Sequence, residues 1–268
     1  AMGARLLRQR ITQPLLSIDR LNERLDEVEL FRGDDLLRAS VRSILSEIPD
    51  LERLTNRCLS GRATPRDVEQ VGLGLASVGK LSARLAASGG TMLVDGLDPC
   101  HEVASTIARA LVDDAPGNLN RMGFIRPGFS AELDGVVNTS AHARDWVAEL
   151  EPRERERTGI SSLKVGFNKV FGYYIEVTHA NTNNVPGDYI RKQTLTNAER
   201  YITPDLKEYE TLILNAEERI LEIERRLFIE VCRHIAGFSN QLLTTAAAIA
   251  RIDVATSLAE VAALNNYV

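Results

Sequence analysis

The residues between Lys164 and Arg200 are the ones whose types and spacing could do chemistry. Asn168 and Lys169 stand in a turn between two alternating runs. Arg191, Lys192, Gln193 and Thr194 stand in a row in a later extended run. A weakly basic surface of this kind in an otherwise acidic chain suggests a local module with its own task. For each residue alone, the competing reading is an ordinary solvated side chain. The stretch from Tyr189 to Glu210, YIRKQTLTNAERYITPDLKEYE, then changes from a basic extended run to the opening of an acidic helix. A small basic surface is thus set on the root of a helix.

The chain of 268 residues carries a net charge of -5, which argues against a general polyanion binder. The charge is uneven. From Thr158 to Pro204 there are five Lys or Arg against three Asp or Glu, together with six aromatic residues, so a weakly basic module sits in an acidic chain. Cys58, Cys100 and Cys232 are odd in number and widely separated; a disulfide framework is not expected, and a reducing cytosol is. No run of about 18 apolar residues and no signal-peptide pattern occurs, so a soluble, cytoplasmic protein with no membrane partner is expected. Enzymatic chemistry has little support. His101, His142, His179 and His234 form no H-E-x-x-H pattern, Cys100-His101 is an isolated pair, and no Ser/His/Asp set or metal-ligand spacing stands out. The EPRERE run from Glu151 to Glu156 reads as a solvated helix face.

The elements that must position the basic module are helical. Up to about Ala110 the pattern describes a scaffold. Ser17 caps a helix with Ile18, Leu21, Leu25 and Val28 on one face, Gly33 ends it, and Leu36, Leu37, Val41, Ile44 and Leu45 form the next stripe. Thr64-Pro65 has N-cap and N1 character, although Gly72, Gly74 and Gly79 weaken the helix that follows. Another helix is expected near 103–111, and the Pro- and Gly-rich segment 113–128 is a connection.

Beyond it, Leu133, Val136, Ser140, Ala143, Val147 and Leu150 repeat with 3-4-3-4-3 spacing, and Leu206, Tyr209, Ile213, Ala216, Ile220, Ile223 and Leu227 with 3-4-3-4-3-4. Two such narrow stripes predict an antiparallel coiled coil. The second helix has a start signal in Thr203, Pro204 and Asp205, and from Pro204 to about Ile235 it would reach roughly 50 Å. Between the stripes lie three predicted strands. One uses Leu163, Val165 and Phe167, one uses Tyr173, Ile175 and Val177, and one runs from Tyr189 to Leu195 after a Val185-Pro186-Gly187-Asp188 turn. The fold class is therefore mainly α with a small antiparallel β insertion: a helical core domain, a long antiparallel coiled-coil lever, and a β module at its tip. Phe167, Phe171, Tyr173 and Tyr174 are expected to pack a thin sheet rather than to stack bases.

SLKVGFNKVFGYYIEVTHAN, followed by YIRKQTLTNAERYITPDLKEYE, closely resembles the clamp region of the MutS family, the bacterial DNA mismatch-recognition ATPases. MGARLLRQRITQPL, IPDLERL and GRATPRD resemble the opening of that family's core domain. The resemblance runs in order over nearly the whole chain. It implies a first part of the helical core domain at 1–128, an outgoing lever helix at 129–157, and a β clamp domain at 158–203. A returning lever helix with the end of the core domain takes up 204–268. It also implies that the clamp grips the backbone of double-stranded DNA without reading sequence. Asn168, Lys169, Arg191, Lys192, Thr196 and Asn197 are then the candidate backbone contacts, with Asn168, Lys192 and Asn197 foremost by position. Thr196 departs from relatives that place Lys there, which weakens contact at that point.

MutS proteins also carry a mismatch-probing Phe-x-Glu motif and an ATPase with a G-x-x-x-x-G-K-[ST] phosphate loop. The chain reads as an excised middle piece lacking both, with neither ATP hydrolysis nor mismatch discrimination of its own. No cofactor is expected in it; ATP and magnesium belong to the full-length protein. The resemblance further implies a homodimer and a MutL partner for the full-length protein, a monomer for this piece, and a bacterial, nucleoid-associated cytoplasmic setting. The alternative from another class is a structural coiled-coil arm whose β tip docks a protein partner.

Overall fold

The computed structural model describes residues 1–267, without the side chains of Thr91 and Met92. The chain divides into two compact units. One contains Ala1–Phe129 and the stretch from Arg225 onward; the other is Ser130–Glu224. The helices in chain order are α1 (Met2–Thr12), α2 (Ile18–Arg32), α3 (Asp35–Glu47), α4 (Leu51–Leu59), α5 (Pro65–Ala87), α6 (Thr91–Val94), α7 (His101–Ala110), α8 (Ala131–Thr158), α9 (Pro204–Gly237) and α10 (Ser239–Asn265).

In the first unit the helices begin where short polar side chains can satisfy free N–H groups. Ser17, Asp34, Asp50 and Thr64 each accept from the backbone three residues on. Thr64 and Asp67 close a capping box in front of α5. Helices α1 to α4 pack against α10, whose buried face mixes small residues (Thr245, Ala246, Ala255 and Ala259) with Leu242, Ile249, Ile252 and Val254. The glycines of α5 serve close packing too. A methyl group at Gly74 would lie 2.9 Å from Leu51 and Pro49, and one at Gly72 would lie 3.0 Å from Ile107. Their cost of about 1 kcal/mol each in helix propensity is offset by contact, and α5 runs unbroken.

Two expectations fail in this unit. Ile18, Leu21 and Leu25 do not face the core; Ile18 is 72% and Leu25 63% exposed. Helix α2 meets α10 through a face roughly 100° away around the helix, where Phe31 is buried and Glu27 pairs with Arg251 at 3.2 Å. A ring and an ion pair override the leucine stripe. Second, Phe228-Ile229-Glu230 does spell Phe-x-Glu. Phe228 is buried inside α9, edge-on to Phe124 with centroids 6.0 Å apart, so it is core and not a probe.

The second unit holds α8, the upper part of α9 and a four-stranded antiparallel sheet. The strands are β1 (Lys164–Asn168), β2 (Gly172–Thr178), β3 (Ile190–Thr194) and β4 (Ala198–Ile202), in the order β1-β2-β4-β3. Strand β4 corrects the three-strand expectation. The charges of Ala198-Glu199-Arg200-Tyr201-Ile202 concealed it as a lead-in to the helix. In the fold both charges are paired, Glu199 with Arg191 at 3.2 Å and Arg200 with Glu176 at 2.9 Å.

Helices α8 and α9 run antiparallel within this unit. Trp146 stacks on Tyr209 with centroids 3.9 Å apart, Arg144 pairs with Glu217 at 2.5 Å, and Arg219 pairs with Glu132 at 3.0 Å. Leu133, Ser140, Ala143, Val147 and Leu150 are buried, as are Leu206, Ile213, Ala216, Ile220 and Ile223. The upper stripe is more than a two-helix seam. Ala143, Val147, Leu150, Leu206 and Ile213 share one core with Leu163, Ile175, Val177, Tyr201 and Ile202. Strand β1 runs back beside α8, with Arg155 Nε donating to the Leu163 carbonyl (2.8 Å) and Val165 N–H to Glu151 (2.9 Å). The sheet therefore lies along the helices' flank rather than standing beyond their ends.

Candidate nucleic-acid interface

The β1–β2 turn is built by Asn168. Its Oδ1 accepts from the N–H groups of Val170 (2.8 Å) and Phe171 (3.3 Å), an Asx turn that fixes the crown on which Lys169 is exposed. Gly172 closes the turn at a φ of +78°, where glycine is favoured. Glu210 of α9 holds this end of the sheet. It is 3% exposed, accepts from Tyr173 N–H at 2.7 Å and pairs with Lys207.

Lys192 owes its placement to a β-bulge. Arg191 pairs with Tyr201 and Gln193 with Arg200, so Lys192 is an extra residue on the edge strand β3. Its Nζ donates to the Phe171 carbonyl at 2.8 Å, joining the edge strand to the hairpin crown. Asn168, Lys169 and Lys192 are thereby brought together, and Arg191 lies next along the edge. Thr196 and Asn197 are not with them. They form the exposed β3–β4 turn beside His179, whose N–H donates to the Asn197 carbonyl at 3.2 Å and whose ring nitrogen donates to the Leu195 carbonyl at 2.9 Å. Thr178 pairs with Ala198 while Gly172 pairs with Asn168, so the two groups sit at opposite ends of β2, roughly 20 Å apart at 3.3 Å per residue.

The charges separate into paired and unpaired sets. Arg191 is tied to Glu199, whose carboxyl is held below its ordinary range by the Tyr201 hydroxyl (2.5 Å) and then by Arg191. Burial pushes the Tyr201 hydroxyl up to about 12. Arg200 pairs with Glu176 and lies 4.0 Å over the Tyr174 ring. Lys164, Lys169 and Lys192 are exposed and have no carboxylate partner among the described residues. Lys164 was missed by the residue-level reading. Its signal lay in the alternation: with Val165 turned to the core, the residue before it turns outward.

The aromatic residues divide as well. Tyr173 packs on the core and Phe167, though 52% exposed, lies against the Tyr173 ring with centroids 4.9 Å apart, whereas Phe171 on the crown is 43% exposed. No group of three or more His, Cys, Asp or Glu among the described residues could hold a metal ion. No described helix is long and apolar enough to cross a membrane.

Residues 1–259 match the family described as MutS domain III. Over 272 residues the chain is 46% identical to the protein named DNA mismatch repair protein MutS of Brevibacillus brevis, covering 100% of this chain and 32% of that protein. It is 42% identical over 273 residues to the protein of the same name in Methanosarcina mazei (99% and 30% covered) and 44% over 270 residues to that of Acetivibrio thermocellus (100% and 31%). The chain spans a little under a third of the length of these relatives. The match over residues 1–259, with identity along the whole chain, shows that it belongs to the MutS family of DNA mismatch repair proteins, as domain III.

Proposed function

We propose that residues 158–203 act as a clamp on duplex DNA and that 129–157, with the helix opening at 204, form the lever that carries it. Residues 1–128 and the end of the chain then serve as the helical core domain. The observation that carries this reading is the trio of exposed lysines, Lys164, Lys169 and Lys192, left without acidic partners on a module whose arginines are all paired. Unpaired ammonium groups beside short polar donors bind phosphates and read no base edge. Lys169 and Lys192 with Asn168 make one contact group; Thr196 and Asn197, joined by Lys164, make the second. In the whole protein, ATP and magnesium act in the portion outside this chain, with homodimerisation and MutL as further partners.

Duplex binding by this chain should be weak and independent of sequence, with a log–log salt slope of about -2 to -3 for two or three neutralised phosphates. Lys192→Glu with Asn168→Asp tests the first group. Aspartate keeps the Oδ1 acceptor on which the Asx turn depends, while Lys192→Glu removes the ammonium charge together with its bond to the Phe171 carbonyl. Affinity should fall by roughly tenfold and the slope should lose about one unit. Unchanged affinity and slope, in this chain and in the whole protein, would remove these residues from the interface.

The second reading, a structural arm that docks a protein, draws on the exposed crown residues Val170 and Phe171. It expects crosslinking to a protein partner and a duplex affinity indifferent to the lysines.

A further inference from the structure

We infer that Val170 and Phe171, on the crown of the β1–β2 turn, press on the sugars of a nucleic-acid strand and make the clamp select deoxyribose over ribose. The inference rests on the clamp reading of residues 158–203. It adds a contact that is neither a phosphate nor a base edge.

The crown is an apolar surface whose backbone is already satisfied. Val170 is 81% exposed, and Phe171 is exposed beside it. Yet the N–H groups of both donate to Asn168 Oδ1, and the Phe171 carbonyl accepts from Lys192 Nζ at 2.8 Å. Removing water from the crown therefore strands none of these three groups, and burying the two side chains is favourable. A turn that served phosphates alone would aim its N–H groups at the anion, as a backbone nest does. Here the Asx turn engages them internally and leaves hydrocarbon exposed.

A cation stands at each end of the apolar pair. Lys169 precedes Val170, and the Lys192 ammonium sits on the Phe171 carbonyl, a bond that uses one of its three donors. The complementary surface has anionic oxygens on either side of hydrocarbon. A nucleic-acid strand repeats that pattern at every nucleotide, with the C–H groups of a sugar between successive phosphates. The crown thus meets it at any position, as sequence-independent holding requires.

The sugar sets the selectivity. In deoxyribose C2′ carries only hydrogen, so Val170 and Phe171 pack hydrocarbon on hydrocarbon. In ribose the 2′-hydroxyl is both donor and acceptor. Under this crown it meets N–H groups engaged by Asn168 and a carbonyl engaged by Lys192. A buried hydroxyl left without a partner weakens binding by roughly tenfold.

The test follows binding of the 268-residue chain by fluorescence anisotropy at low salt, with three duplexes of one sequence. They are DNA, RNA, and RNA carrying fluorine in place of every 2′-hydroxyl, which keeps the A-form shape without the hydroxyl. DNA should bind roughly tenfold more tightly than RNA, and the fluorinated duplex should recover most of that difference. Val170→Ser with Phe171→Ser should weaken DNA binding by roughly three- to tenfold at an unchanged salt slope, and bring DNA and RNA within about twofold. Trp146 emission checks that the unit stays folded, and Val170→Ser alone gives a smaller effect of the same kind should the double variant unfold. Equal affinity for DNA and RNA would overturn the inference. So would a fluorinated duplex as weak as RNA, which would assign the preference to helix shape, or a serine variant that keeps the wild-type preference. Lys169→Gln separates this contact from the clamp reading, since it should lower the salt slope by about one unit. If it does so while the serine variant changes nothing, the sugar contact falls and the clamp stands. If DNA binding is absent, or indifferent to both variants, the two fall together.

Discussion

Gly172→Ala should destabilise the second unit by about 3 kcal/mol, and Glu210→Ala by about 2–4 kcal/mol, while the double variant should cost clearly less than their sum. At a φ of +78° an alanine pays roughly 1–2 kcal/mol for left-handed backbone. Its methyl group would also collide with the Glu210 carboxylate. That carboxylate is almost fully buried and holds the Tyr173 N–H, so displacing it strands a donor and a charge together. Once Glu210 is replaced by alanine the collision is gone, and only the backbone strain at position 172 remains. Trp146 reports on this directly. It is the one tryptophan of the chain and stacks on Tyr209, the neighbour of Glu210. Urea unfolding followed by its fluorescence should give a coupling energy of about 1–2 kcal/mol in the double-mutant cycle. Additive losses would mean that glycine is needed there for its backbone alone.

The hairpin explains why some of this module was legible and some was not. Alternation exposed β1 and β2 because their inward residues are apolar and their turn carries Asn168 and Gly172. Strand β4 was hidden because its outward charges are neutralised only by partners from other strands, Arg191 and Glu176. No local pattern contains that information. The bulge at Lys192 is equally silent in one dimension, since it exists only as a mismatch between β3 and β4. Naming Lys192 and Asn168 therefore came from resemblance, and their meeting across the Phe171 carbonyl came from the fold. In the helices, heptad spacing identified the buried stripes of α8 and α9, because a seam depends on residues of one helix at a time. It did not reveal that the upper half also packs a sheet. The α2 stripe misled for the opposite reason: Phe31 and the Glu27–Arg251 pair set the rotation of that helix, and neither belongs to the stripe.

Ile220→Pro should have the largest effect on the proposed lever while sparing the clamp. Ile220 is buried in the interior of α9, where proline removes the hydrogen bond to the carbonyl four residues back and clashes with it, at about 3 kcal/mol or more. The break falls beside Arg219, so its ion pair with Glu132 should be lost with the local helix. The Trp146–Tyr209 stack lies about three turns nearer the sheet, and the hairpin anchor at Glu210 lies there too. Hydrogen exchange in the 268-residue chain should therefore quicken around 216–224 while Trp146 emission stays the same. Ile220→Ala is the matched control; it loses packing worth about 2–4 kcal/mol but keeps the helix continuous. In the whole protein, on the proposed reading, the proline variant should bind nucleotide normally and bind duplex DNA, yet lose the change in DNA grip that ATP produces, whereas the alanine variant keeps it. A helix can pass a rotation along its length only if no turn within it bends freely. Retained ATP response in Ile220→Pro would show that α9 is no strut, and parallel loss of nucleotide and DNA binding would show general unfolding instead.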